Sequence, residues 1–341
     1  MWIDRIFSLK TSSVIKRGFE IDNYAKTIKL IKDARSIAIS CHMHADGDCL
    51  GSLSALGLAL MGMKKKVSLY SPGRIPPRYA FLPLHNKINK GRLKRSYDLA
   101  ISVDCGNKHR LGHIYEDVFT KSRSIVEIDH HATRTAFGDI QLLDHDACSA
   151  GQIVYNLIRR LGVKIDKEIA MSLLVSLIVE TGSFRFPSVS ADTFRICSEL
   201  LETGVNFNAI TNACFWIKTP SEVQLTGLCM SRIKFKAGGK IAYSSISQKD
   251  FHRFKGKDEN IDPAADEIRA IKDIKAVILF RELNSNTIRV SLRSKNSIDV
   301  GKVAKIFDGG GHYDVAGCYI QNSQRSKNAL LREVESAVKD G

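Results

Sequence analysis

S-I-A-I-S-C-H-M-H-A-D-G-D-C-L-G-S, residues 36–52, is the stretch on which the reading of the fold turns. Ser36 to Ser40 form a short run of small and β-branched residues with no charge, the pattern of a strand buried on both faces. His42, Asp46 and Asp48 follow at once. Asp46 stands where a helix N-cap would, ahead of the small and apolar run from Leu50 to Met61, which reads as a buried helix. A buried strand, a polar turn and a buried helix make half of a βαβ unit, and such units bind ligands at the carboxyl ends of their strands.

Outward from this stretch the pattern repeats. V-S-L-Y at 67–70, D-L-A-I-S-V at 98–103 and S-I-V-E-I at 124–128 are further continuous β-type runs, with helices expected at Asn23 to Asp33, Ala150 to Leu161 and Asp166 to Val179. Alternation of this kind predicts an α/β domain around a parallel sheet. Two of the later strands also end in titratable residues: Asp104 in V-D-C-G-N at 103–107, and Asp129, His130 and His131 in I-D-H-H at 128–131. Each residue alone has a plain structural reading: Asp46 as a cap, Asp104 as a turn residue, His131 as a satisfied surface side chain. Three such groups on one rim are not required by any structural need. Imidazoles mixed with several carboxylates, with no cysteine expected to touch the ion, suit Mn²⁺, or Mg²⁺ with less ease, better than a structural zinc site. Two such ions about 3.5–4 Å apart can clamp a phosphoryl group.

From Thr193 to about Ile233 the chain reads as helical, with E-L-L-E-T-G closing one helix at Gly204 and T-P-S-E at 219–222 opening another. Strands at 240–246, 276–280 and 287–292, a Gly-rich turn D-G-G-G-H at 308–312 and a helix from Ser326 to Val338 complete a smaller second α/β domain. The expected organisation is a metal-binding domain over 1–212, a helical linker over 213–234 and a nucleotide-binding domain over 235–341.

Composition narrows the class. The chain has 341 residues, 44% of them hydrophobic and 26% charged, which excludes global disorder and supports two cores. Its net charge of +15 favours polyanionic partners. The longest apolar runs, Leu53 to Met63 and Ala170 to Val179, fall short of the roughly 20 residues of a membrane span, so no membrane partner is expected. Residues 1–20 place Trp2, Ile3, Ile6 and Phe7 where one helical face could show them and lack a secretory cleavage pattern, as in an arm packing on its own domain or on a second subunit of a homodimer, with a membrane or targeting role as the alternative. Eight cysteines without a C-x-x-C pair read as reduced thiols in a cytoplasm.

H-M-H-A-D-G-D-C-L-G-S, V-D-C-G-N, D-H-H and E-T-G-S-F-R-F at 180–186, in this order, resemble the four motifs of the DHH phosphoesterases. S-L-R-S at 291–294 and G-G-G-H at 309–312 resemble the nucleotide-holding motifs of the DHH-associated C-terminal domain. The pattern is similar to that of the small two-domain members, the nanoRNase/pAp phosphatases, which cut very short oligoribonucleotides to mononucleotides and dephosphorylate 3′-phosphoadenosine 5′-phosphate. The resemblance implies an active site in the cleft between the domains. It implies one ion held by His42, Asp46 and Asp104, a second held by Asp48, Asp104, His130 and Glu180, a phosphate contact from His131, and Asp129 orienting the histidines. It also implies a nucleotide grip by Arg293, His312 and the backbone of Gly309, Gly310 and Gly311. Two departures stand out: Glu180 where the family commonly has Asp, and Val315 where it commonly has Ala. Rival readings are a phosphatase or pyrophosphatase for small metabolites, a hydrolase of linear dinucleotides, and a nucleotide-sensing module without turnover.

Overall fold

The structure, a computed structural model, describes residues 17–89, 95–131, 134–261, 263–295, 298–311 and 313–340. The expected arm therefore lies, up to residue 16, outside the described residues. The chain divides into two compact units, Met1–Ile217 and Lys218–Gly341.

In the first unit the elements run α1 (Arg17–Asp33), β1 (Ser36–Ser40), α2 (Gly47–Gly62), β2 (Lys66–Tyr70), β3 (Ile88–Asn89), β4 (Leu99–Val103), α3 (His113–Asp117), β5 (Ile125–Asp129), β6 (Ile140–Leu143), α4 (Ala150–Arg160), α5 (Lys167–Glu180), α6 (Ala191–Glu202) and α7 (Phe207–Thr211). The strands form one sheet of order β3-β2-β1-β4-β5-β6, parallel throughout. Ile37 and Ile39 of β1 face the core that holds α2 and α5, while Ala38 joins Tyr70, Tyr97 and Phe119 on the opposite face. Both faces are covered, which is why these strands read as unbroken apolar runs. The sequence reading did not include β3 and β6; they are two and four residues long at the sheet edges, and in β6 only Leu142 is buried. Helix α1 begins at Arg17, six residues before the expected start.

Two buried helices position the polar residues. Asp46 caps α2, its Oδ1 accepting from the Cys49 amide (3.1 Å), and the Cys49 sulfur accepts from the Asp46 amide (3.3 Å). Asp166 caps α5 by accepting from Glu168 and Ile169. The two helices cross backbone on backbone: a Cβ at Gly51 would lie 2.4 Å from the Ser172 carbonyl oxygen and 2.9 Å from the Ser176 nitrogen. Glycine at 51 is thus a packing requirement, and the contact sets where the ends of α2 and α5 lie.

In the second unit come α8 (Pro220–Ser231), β7 (Lys234–Lys236), β8 (Ile241–Ile246), α9 (Gln248–Arg253), α10 (Ala264–Arg269), β9 (Ala276–Glu282), β10 (Thr287–Ser294), α11 (Val300–Ile306), β11 (Gly310–Gly311), β12 (Val315–Gln321) and α12 (Gln324–Asp340). The sheet order is β11-β12-β10-β9-β8-β7, with β8 and β9 parallel and the other pairs antiparallel. Alternate residues of β9 serve two cores: Ile278 and Phe280 pack with Val300, Leu330 and Val334, and Val277 and Leu279 with Leu225, Ala264 and Ile268. Helix α8 starts as the T-P-S-E signature requires, with the side chains of Thr219 and Glu222 each accepting from the other's backbone amide and Pro220 in the first turn. It buries Leu225 and Cys229 in the second unit's core.

The stretch 308–312 was expected to be a turn, but Gly310 and Gly311 form β11 against Gly317 and Ala316 of β12. A Cβ at Gly309 would meet the Gly317 carbonyl oxygen at 2.3 Å, and one at Gly311 would meet Ala316 Cα at 2.4 Å, whereas Gly310 faces open space. Two of the three glycines therefore answer to strand packing, and Gly310 alone offers the open approach that a ligand would need.

Candidate metal centre

Because β1, β4 and β5 are parallel neighbours, their carboxyl ends share one edge. The sheet grows in both directions from β1, so this edge lies at a topological switch point. His42 follows β1, Asp104 follows β4, and Asp129 closes β5 with His130 and His131 next. Asp46 and Asp48 come from the start of α2, and Glu180 is the last residue of α5. Eight residues spread over 139 positions of sequence thus meet at one rim.

The distances show how they meet. His42 Nε2 lies 3.5 Å from Asp104 Oδ2 and 3.6 Å from Asp46 Oδ2. His130 Nε2 lies 3.5 Å from Asp48, 3.6 Å from Asp104 Oδ1 and 3.7 Å from Glu180. Asp104 belongs to both groups. It also has φ +56°, a left-handed conformation that Asp tolerates better than most side chains, immediately after a buried strand. Its amide is tied to the Ile128 carbonyl at 2.9 Å.

Hydrogen bonds from the backbone and from serine orient these side chains. Asp48 is fully buried and accepts from the Ala150 amide (2.9 Å), the Gly151 amide (3.2 Å) and the hydroxyl of Ser176 (2.6 Å), so its carboxylate sits at the N-terminus of α4. Asp129 Oδ1 accepts from the amides of His130 (2.8 Å) and His131 (3.2 Å) and lies 2.6 Å from His131 Nδ1. A proton held on Nδ1 by that carboxylate fixes the tautomer and turn of the ring. Just upstream, buried Glu127 accepts from Phe137 and Gly138 and pairs with Arg134, pinning the chain after D-H-H.

Charge balance within the rim is tight. Burial disfavours the charged forms of His42 and His130, yet Asp104 and the neighbouring carboxylates prevail and push both imidazoles up to about 10. Burial lifts Asp48 to about 7, with the charge on Asp104 adding to it. Asp104 is held well below the usual carboxylate range by His130 and His42 despite its burial.

These residues fit a divalent metal. Among the described residues, buried His130 Nε2 and Asp104 Oδ1 have no hydrogen-bond partner. They lie 3.6 Å apart, a spacing that two ligands of one ion can adopt when each bond is about 2.0–2.2 Å. The ligand atoms of His42, Asp46, Cys49 and Asp104, those of Asp104, His130 and His131, and those of Asp48, His130 and Glu180 each fall within 4.8 Å of one another. A cation would replace the imidazole protons as the counter-charge. Cys49 was not among the expected ligands; its position three residues after Asp46, on the first turn of the same helix, is the signal that could have found it.

In the second unit, Arg293 lies on β10 opposite Val315 of β12, and β11 pairs with the other edge of β12, so S-L-R-S and the glycine run lie on the two strands that flank β12. Arg293 Nε donates to Asp266 (3.0 Å) and its NH1 to the Leu292 carbonyl (3.1 Å). His312 lies outside the described residues.

The description "DHH family, N-terminal domain" matches residues 36–177, and "DHHA1 domain" matches residues 238–340. The bifunctional oligoribonuclease and PAP phosphatase NrnA of Thermus thermophilus is 28% identical over 288 residues, covering 84% of each chain. The protein of the same name from Bacillus subtilis is 23% identical over 317 residues, 92% of this chain and 98% of its own. The crystal structure of an exopolyphosphatase-related protein from Bacteroides fragilis shares the fold, with a TM-score of 0.85 at 23% identity over 94% of this chain and 96% of that one. With both matches lying in the order the motifs require, the chain carries a DHH domain followed by a DHHA1 domain, the arrangement of a phosphoesterase.

Proposed function

We propose that this phosphoesterase hydrolyses very short oligoribonucleotides to mononucleotides and removes the 3′-phosphate of 3′-phosphoadenosine 5′-phosphate, using two divalent ions, Mn²⁺ by preference. The observation that carries the reading is the double role of Asp104, whose two carboxylate oxygens face His42 on one side and His130 on the other. His42, Asp46 and Asp104 would hold one ion; Asp48, Asp104, His130 and Glu180 would hold the other. Ions bound there supply Lewis-acid activation of the phosphoryl group and of the attacking water. Asp129 holds Nδ1 of His131, so a contact with a phosphate oxygen would be made by the ring's other nitrogen when it also carries a proton. The named activities of the Thermus and Bacillus relatives support this substrate class. Among the described residues no helix is long and apolar enough to cross a membrane.

Labelled RNA and DNA strands of two to about twenty nucleotides, with 3′-phosphoadenosine 5′-phosphate alongside, test this directly in the presence of Mn²⁺. Release of mononucleotides from the shortest RNAs is expected; turnover confined to pyrophosphate or to a linear dinucleotide would replace the reading with one of its rivals.

Glu180→Gln should weaken metal binding by about 10 to 100-fold or more, at least the scale set by residues that only support ligands. The half-saturating Mn²⁺ concentration is the measure, and an unchanged value would place Glu180 outside the coordination sphere. In the second unit, Arg293→Ala should raise KM for a dinucleotide roughly 10 to 150-fold, the range for a charge-assisted contact of about 1.5–3 kcal/mol. Hydrolysis of bis-p-nitrophenyl phosphate, which has no nucleotide to grip, should change little. Equal losses on both substrates would assign Arg293, through its pairing with Asp266, to the fold.

A further inference from the structure

We propose that the ion position bounded by His42, Asp46 and Asp104 has a fourth donor, the sulfur of Cys49, and therefore takes thiophilic divalent cations such as Co²⁺, Zn²⁺ and Cd²⁺. The position bounded by Asp48, His130 and Glu180 offers nitrogen and oxygen alone. This rests on the reading of the rim as a metal centre and adds that its two halves differ in softness.

Four observations carry it. The Cys49 sulfur lies within 4.8 Å of the ligand atoms of His42, Asp46 and Asp104, which come from three separate segments of the chain. Cys49 has no exposed surface, so its sulfur meets only protein atoms and whatever the rim holds. It sits in the first turn of α2, a 16-residue helix, and accepts the Asp46 amide hydrogen at 3.3 Å. A helix N-terminus and an N–H donor both favour thiolate over thiol. The S–H is directed to the Asp46 carbonyl oxygen, a long contact at 3.7 Å.

Without a cation, burial keeps Cys49 protonated, with its pKa well above that of a free thiol. Binding would exchange the thiol proton for the metal: one S–H bond breaks, one sulfur–metal bond forms, and a proton leaves for solvent. Softness follows from the donor set. Thiolate raises affinity for Co²⁺, Zn²⁺ and Cd²⁺ far more than for Mn²⁺ or Mg²⁺, which prefer oxygen. The nearest cysteine in sequence, Cys41, is not in this cluster; its sulfur lies 3.9 Å from the Tyr70 carbonyl and also hydrogen-bonds with the Cys49 sulfur, so its serine variant tests a neighbour that touches the proposed donor.

Titration of the full chain with Co²⁺ reads the assignment. A sulfur-to-cobalt charge-transfer band in the near ultraviolet should grow in the wild type and in Cys41→Ser and be lost in Cys49→Ser. Serine can still accept from the Asp46 amide, so the cap survives the change. Zn²⁺ affinity should fall about tenfold or more in Cys49→Ser, with Mn²⁺ affinity unchanged. X-ray absorption of the Zn²⁺-loaded wild type needs no variant and should show one sulfur at about 2.3 Å beside nitrogen and oxygen at about 2.0–2.2 Å. A band that persists in Cys49→Ser, or a zinc shell of nitrogen and oxygen alone, overturns the role of Cys49 and leaves the metal centre standing. Failure of the wild type to bind Co²⁺, Zn²⁺ or Mn²⁺ at all overturns both.

Discussion

Asp104→Asn is expected to lower turnover roughly 1,000-fold or more while the protein stays folded. Both oxygens of Asp104 are committed, Oδ2 toward His42 at 3.5 Å and Oδ1 toward His130 at 3.6 Å, so one substitution weakens both halves of the rim. Losing several kcal/mol of transition-state stabilisation at a centre that gathers phosphoryl charge corresponds to that factor. Asn is the informative replacement because, like Asp, it tolerates the left-handed backbone that this position adopts at φ +56°. Alanine would add backbone strain of about 1 kcal/mol or more and blur the result. Circular dichroism and thermal melting should show a folded protein, and isothermal titration should show that stoichiometric Mn²⁺ binding is lost. A folded variant with undiminished turnover would exclude a shared ligand at this position.

Gly51→Ala should act through packing alone and still damage the site. The new methyl group would press on the Ser172 carbonyl and the Ser176 backbone, neither of which can swing aside as a side-chain tip could. Overpacking of this kind costs about 1–3 kcal/mol, which lowers the melting temperature by roughly 2–4 °C for each kcal/mol in a unit of this size. The same displacement pulls Ser176 from Asp48, which it now meets at 2.6 Å, and moves the helix end that carries Glu180. Metal affinity should therefore fall along with stability. Gly62→Ala is the control: no atom lies within 4 Å of its Cβ position, and replacing a helical glycine there should be neutral or stabilising by up to about 1 kcal/mol. Equal melting temperatures for the two variants would show that α2 and α5 can part without cost.

The parallel strands at β1, β2, β4 and β5 were legible because burial on both faces writes an uninterrupted apolar run, and the rim was legible because polar residues follow three of those runs at once. Edge strands β3, β6 and β7 leave no such trace: half exposed and two to four residues long, they owe their conformation to a neighbour's ladder. The glycine run at 309–311 shows the same limit, since its composition signals freedom of the backbone but not that Gly309 and Gly311 spend it on packing against β12. Arg293 carries a charge readable from one letter, while its pairing with Asp266, 27 positions away, depends on α10 lying beside β10. Cys49 is the sharpest case. Its spacing from Asp46 is local, but its approach to Asp104 requires β1 and β4 to be adjacent, and strand order is set by the packing of helices over the sheet rather than by any residue within the motif. Local patterns record which backbone each segment adopts and which side chains can do chemistry; distances between segments arise only when the cores close, because burial energy depends on the whole set of contacts and not on neighbours in the chain.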